Sequence, residues 1–242
     1  MCELFAMNAS QPMDVDRYLA HLMPRGGKIG PHADGWGVAF FEDRASRIFK
    51  DAAPAADSQY LAMLAASRMQ STSVIAHIRK ANPSIVGRAT ANTHPFEREW
   101  NGRSWVFAHN GKLPALEGSN ACADSRFQPV GGTDSELAFC YLLDVIARRF
   151  ESGEPIQPHT LIETIQPVVN ELAGFGEFNF ILSNGEYLVV HAHTNLHVLA
   201  HTLPHPRTLL ATAPLTDENW QALAPGSIRV YKEGIETGSL NA

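Results

Sequence analysis

A chain of 242 residues with 45% hydrophobic and 18% charged side chains is long and apolar enough to bury a core. Its formal charge of -6 and its scattered Lys and Arg exclude a general polyanion binder, so no nucleic acid is expected as a partner. It has no apolar run of about 18 residues and no basic-then-apolar leader, which argues against a membrane span and a signal peptide. Three cysteines at wide spacing, Cys2, Cys122 and Cys140, fit a reducing cytoplasm better than a disulfide framework.

In chain order, CELFAM reads as a short buried strand. DVDRYLAHLM, residues 14–23, carries apolar side chains at helical spacing behind an acidic start. GWGVAFFED (35–43) and SRIFKD (46–51) predict two short strands, and DSQYLAMLAAS (57–67) a helix capped by Asp57 or Ser58. SVIAHIRKA (73–81) is strand-like with a basic end. Residues 82–103 mix Pro, Gly, Asn and Thr without a period and predict a long loop, a kind of segment that often carries function. SWVFAHNGKL (104–113) predicts a strand running into a turn at Asn110-Gly111. TDSELAFCYLLDVIARRF (133–150) is the clearest helix, opening on a Thr133/Glu136 capping box, and HTLIETIQPVVNELA (159–173) a second one interrupted at Pro167. From Phe175 onward FNFILSNG, EYLVVHAH, NLHVLAHTL, RTLLATA and SIRVYKEG read as successive strands. Mixed elements, then helices, then an antiparallel run predict one α+β layered domain over residues 1–242 rather than a doubly wound parallel sheet.

Four places could carry chemistry. Cys2 follows the initiator methionine, and trimming of Met1 would set an α-amine of pKa roughly 7.7–8.0 beside a thiol, a nucleophile with its own base. The bland reading is a buried cysteine opening a core strand. Asn110 and Gly111 could present a side-chain amide and a backbone N–H to a developing oxyanion, or be an ordinary Asn-Gly turn. Arg79 could clamp a carboxylate or lie on the surface. Asp134 could meet an ammonium group or serve only the helix dipole. Together the four would suit an amino acid with a carbonyl in its side chain.

MCELF, DGWGVAF (34–40), AHIRKA (76–81), NTHPF (92–96), WVFAHNGKL (105–113) and GTDSE (132–136) occur in this order over most of the chain. With them the sequence resembles the class II glutamine amidotransferases, a branch of the N-terminal-nucleophile hydrolases, and among these the stand-alone bacterial members. The resemblance implies a four-layer αββα sandwich, two stacked antiparallel sheets flanked by helices. It implies Cys2 as nucleophile, Asn110 and Gly111 as oxyanion hole, Arg79 on the α-carboxylate of glutamine and Asp134 on its α-amino group. The implied reaction runs through a γ-glutamyl thioester on Cys2. It calls for no cofactor and no metal, and leaves ammonia free or passes it to a separate acceptor protein.

The sequence departs from the family pattern at Lys80-Ala81-Asn82-Pro83, where many members carry a lid segment, and at Pro31 and His32, where an arginine is common. No acceptor domain is recognisable. A hydrolase of another γ-glutamyl amide or peptide, and a non-catalytic scaffold that keeps the site, therefore stand beside the glutaminase reading. Residues 82–103 are the expected lid. The histidines at 191, 193, 197, 201 and 205 lack a completing Cys, Asp or Glu nearby and read as strand and turn residues. His94 and His109 are expected to support the site, and Cys122 and Cys140 to be core residues without a partner.

Overall fold

The computed structural model describes residues 2–81, 87–116 and 122–241. Its strands form two antiparallel sheets. The first contains β1 (Glu3–Met13), β2 (Trp36–Glu42), β3 (Ala45–Asp51) and β4 (Ser71–Ile78). From the C-terminal part of the chain it takes β9 (His197–His201), β10 (Arg207–Ala211) and β11 (Gln221–Ala222), in the order β11-β9-β10-β1-β4-β2-β3. The second holds β5 (Phe96–Trp100), β6 (Arg103–Lys112), β7 (Glu177–Ser183), β8 (Tyr187–Ala192), β12 (Ser227–Lys232) and β13 (Ile235–Leu240), in the order β13-β12-β8-β7-β6-β5.

Three apolar layers hold the sheets and helices together. Leu4, Ala6, Ile75, Val106, Ala108, Ile181 and Leu210 fill the space between the sheets. Phe5, Met7, Val38 and Leu209, on the other face of the first sheet, pack with α1 (Asp16–Leu22) and α2 (Gln59–Ala66). Phe107, Phe178 and Phe180 face α3 (Asp134–Arg149) and α4 (Pro158–Gly174) across the second sheet. The result is the αββα sandwich. Strand alternation produces it: positions 4 and 6 of β1 face inward while 5 and 7 face the helices, so both faces of the strand are apolar. Each large side chain buried this way contributes about 1.5–3 kcal/mol.

Polar groups inside the sandwich are tied across it. Ser73 and Ser183 meet at 3.0 Å between the sheets. Asn8 Oδ1 accepts from Gly234 N at 2.7 Å, and Thr208 Oγ1 donates to Gly234 O at 2.9 Å. A buried polar atom without such a partner costs more than the bond itself returns.

Several local expectations change. Asn110 and Gly111 are not a turn: both lie within β6, opposite Asn179 and Phe178 of β7. The hairpin turn is instead at Asn101-Gly102, where φ is 53° and 69°, and it joins β6 to β5 inside the segment read as loop. The Asn101-Gly102 and Asn110-Gly111 pairs lie nine residues apart and carry the same turn signal, and only the first of them bends. Pro167 does not interrupt α4, which runs unbroken from Pro158 to Gly174. Ser58 is the α2 cap, accepting from Leu61 N. The Thr133 cap forms, accepting from Glu136 N at 3.2 Å, but Glu136 does not close a box. Its carboxylate, 2% exposed, takes Arg98 at 2.6 Å and the backbone N–H groups of Val130 and Gly131. Among the described residues no helix is long and apolar enough to cross a membrane.

Candidate active site

The inward face of three strands runs out at the same end of the sandwich. On β1 the series 6, 4 continues to Cys2; on β4 the series 75, 77 continues to Arg79; on β6 the series 106, 108 continues to Asn110. β1 and β4 are antiparallel with Glu3 opposite Ile78, so Cys2 and Arg79 fall side by side. Strand period alone thus carries a thiol, a guanidinium and an amide to one mouth between the sheets.

The contacts there are close. Cys2 N donates to Asn110 Oδ1 at 2.7 Å. That bond turns the carboxamide so that its NH₂ group points away from the Cys2 backbone. Asn179 Nδ2 supports the strand from β7, donating to Asn110 O at 3.2 Å and to Thr194 Oγ1 at 3.0 Å. The Cys2 sulfur receives Lys80 N–H at 3.3 Å and lies 3.6 Å from Lys80 O. Gly111 has a φ of 155°, and a β-carbon there would overlap Glu177 O and crowd His109 Nε2, so only glycine lets β6 and β7 approach this closely.

Asp134 is the first residue of α3, where an acidic side chain favours the helix dipole. Its Oδ2 accepts from Leu113 N at 2.6 Å and its Oδ1 from Ser135 N at 2.8 Å. His109 braces the same turn through Ser135 Oγ at 2.8 Å and Glu177 O at 2.9 Å. Arg79 Nη1 donates to Asp34 O at 3.4 Å. Burial pushes the Cys2 thiol above its ordinary pKa; Lys80 N–H and the Arg79 guanidinium pull it down, and Asp134 pushes it up. Arg79 and Asp134 are thus both within electrostatic reach of one sulfur, although one follows β4, the other opens α3, and they lie 55 positions apart in sequence. A resting thiol raised by burial needs a base before it can attack.

The structure also brings in residues that sequence reading passed over. Asp34 holds the Arg79 end of β4, accepting from Ala81 N at 2.8 Å and from Arg88 Nε at 2.9 Å. Asn92 Oδ1 accepts from Gly132 N at 3.0 Å, tying the NTHPF segment to the loop before Asp134. The Asp-Gly and Asn-Thr pairs inside the quoted motifs were the available signal. Cys122 and Cys140, read as partnerless, have other partners: the Cys122 thiol donates to Leu137 O at 3.3 Å, and Cys140 Sγ receives Arg98 Nη2 at 3.8 Å. His191 and His193 spend ring nitrogens on the backbone of Phe178. Met1, Asn82 and Pro83 fall outside the described residues, and with them the expected methionine removal and the start of the expected lid.

His77 and His94 pack together beneath this mouth, ring centroids 4.2 Å apart with planes tilted by 38°, and both are buried. Gly37, opposite His77 on β2, admits the His94-Pro95 backbone where any β-carbon would collide with His94 O. Burial lowers the pKa of His77 to about 3, helped by the charges of His109 and Arg79, and holds His94 well below its ordinary value. Both rings are neutral in the fold. In the unfolded chain a histidine titrates near roughly 6.5. Between that value and about 3 the unfolded state therefore holds more protons, and stability falls as pH falls. From about pH 7 to about pH 5 His77 alone is expected to cost about 2 kcal/mol. Urea midpoints at the two pH values measure this, and the difference should shrink in His77→Leu. An unchanged midpoint would refute the assignment.

Two stacked antiparallel sheets between helical layers, with a cysteine at position 2 in the mouth between them, are the architecture of the N-terminal-nucleophile hydrolases. Comparison with known proteins narrows this. Residues 1–211 match the family described as "Glutamine amidotransferases class-II", and the chain belongs to that family. It is 38% identical to the Escherichia coli K12 protein named "Putative glutamine amidotransferase YafJ", over 96% of this chain and 97% of that one. A 2.0 Å crystal structure of a "predicted glutamine amidotransferase" from Pseudomonas aeruginosa PA01 is similar with a TM-score of 0.75 and 33% identity, covering 98% of this chain and all of that one. The glutamine phosphoribosylpyrophosphate amidotransferase of B. subtilis shares the fold at a TM-score of 0.69 and 18% identity, with 49% of its length covered.

Proposed function

We propose that the protein is an amidohydrolase that opens the side-chain amide of glutamine or a related γ-glutamyl compound through a thioester on Cys2. The observation that carries this is the Cys2 N to Asn110 Oδ1 bond of 2.7 Å, which sets a nucleophile-bearing nitrogen against the amide that would face the oxyanion. With Met1 removed, that nitrogen is an α-amine. It takes the thiol proton, directly or through one water. The thiolate forms a C–S bond to the carbonyl carbon, and the negative oxygen is held by Asn110 Nδ2 and the Gly111 N–H. The C–N bond breaks and the amine returns the proton to the departing nitrogen. Water then cleaves the thioester, giving glutamate and the free thiol. Arg79 grips the α-carboxylate and Asp134 the α-amino group, so the substrate is held at both ends of its skeleton. Ammonia from glutamine is released or taken by a separate acceptor protein, in a reducing compartment such as the cytoplasm.

Intact mass before and after treatment with a diazoketone analogue of glutamine tests the assignment. A single adduct on Cys2 of a chain lacking Met1 is expected. Labelling of Cys122 or Cys140 instead, or no acyl-enzyme with any γ-glutamyl compound, would favour a non-catalytic scaffold.

A further inference from the structure

A cavity of about 410 Å³ opens beside Cys2 and Asn110 and includes neither Arg79 nor Asp134 in its walls. Its walls thus adjoin the proposed nucleophile and oxyanion amide and leave out the residues proposed to hold the glutamate skeleton. When glutamine is cleaved the departing group is ammonia, which is water-sized, and one water needs only about 15 Å³. The space is far larger than that product requires.

The walls are rich in acceptors. Glu3 is the one carboxylate among the described lining residues, and no Lys or Arg joins it; His32 and His197 are the other titratable groups. Glu3 Oε2 is held by Arg25 at 3.1 Å and by Thr212 Oγ1 at 2.6 Å, which leaves Oε1 without a hydrogen bond among the described residues. His197 Nδ1 lies 3.2 Å from the carbonyl of Thr212. A ring nitrogen facing a carbonyl carries the proton, so Nδ1 is engaged and Nε2 is the ring atom left for another partner. Asn195 adds a side-chain amide to the wall.

We propose that this cavity is a subsite for the leaving amine. The preferred substrates are γ-glutamyl amides of amines bearing a second ammonium group, ahead of glutamine and of γ-glutamyl amino acids, whose carboxylate would face Glu3. The inference rests on the Cys2 thioester reading. The γ-glutamyl C–N bond breaks, the amine leaves with the proton from Cys2, and water completes the hydrolysis to glutamate and free diamine. Bulk in the cavity excludes such an amine but not ammonia, and loss of the Glu3 charge removes its attraction.

The test measures glutamate release by the processed full chain from glutamine, from the mono-γ-glutamyl amide of 1,4-diaminobutane, and from γ-glutamylalanine. The diamine amide should exceed glutamine in kcat/KM by at least about tenfold, since one well-placed ionic contact is worth about that much. Ala213→Phe should reduce the diamine-to-glutamine ratio by a similar factor. Glu3→Gln, which keeps the side-chain shape, supplies the same ratio should the bulkier variant fail to fold. Glutamine turned over as well as the diamine amide, with ratios unmoved by either variant, overturns the subsite and leaves the thioester reading standing. Preference for γ-glutamylalanine overturns the charge assignment. No glutamate from any of the three, together with no diazoketone adduct on Cys2, removes the thioester reading and the subsite with it.

Discussion

Cys2→Ala is expected to lower kcat for γ-glutamyl amide hydrolysis by about 10⁴-fold or more, the scale seen when a covalent nucleophile is removed. No other thiol can substitute. Cys122 and Cys140 are 4% and 0% exposed and pack in the layer between the second sheet and α3. The fold should tolerate the change, because Cys2 precedes the first paired residue of β1 and its hydrogen bond to Asn110 uses the backbone nitrogen. Melting temperature and the rate of glutamate release are the paired readouts. Cys2→Ser is the stricter variant: it keeps the terminal amine and the volume but presents a far less acidic hydroxyl. Persistent turnover in either, at more than about a tenth of the parent rate, would exclude the thioester route.

The second large effect concerns Asn110. Removing one oxyanion donor costs about 10²–10³ in kcat in other enzymes. Asn110→Ala should show that loss in kcat with KM nearly unchanged, because the interaction exists only once the carbonyl oxygen is negative. Asn110→Asp separates two roles of the same side chain. It keeps an acceptor for Cys2 N, whose partner is Oδ1 at 2.7 Å, but it has no amide donor and brings a negative charge to the oxyanion position. It should be at least as impaired as the alanine variant. An aspartate variant that recovers most of the activity would mean that Asn110 only positions Cys2. In that case the oxyanion would be held elsewhere.

Much of the site was legible because it depends on strand period. A chain that alternates correctly through 2-4-6, 75-77-79 and 106-108-110 delivers its terminal polar residues to one edge once the sheets stack. Asp134 was legible for another local reason, as an acid behind a Thr cap at the start of an amphipathic helix. The resemblance to a known family then supplied the pairing of these pieces, which no local rule contains.

What escaped was set by tertiary context. Asn110-Gly111 and Asn101-Gly102 carry the same turn signal. Which one bends depends on the partners: β7 lies alongside the first and nothing continues past the second. Pro167 sits in a helix whose apolar face is anchored by Ile165, Val168 and Val169, and that packing outweighs the lost backbone bond. Glu136 looked like a capping partner, yet the Arg98 side chain and two loop N–H groups compete for it, and neither could be placed without the fold. Asp34 had no distinguishing pattern beyond the glycine after it.

β1 lies mid-sheet, hydrogen-bonded to β10 on one side and β4 on the other. The proposed nucleophile is therefore attached to a central strand, whereas Arg79 and Asp134, proposed to grip the substrate, come from a segment joining strands and from the start of a helix. Diversification of such a scaffold can proceed by exchanging those connecting pieces, with the bond-breaking apparatus left where it stands. For anyone producing the protein, the same geometry makes the amino end the wrong place to attach a handle.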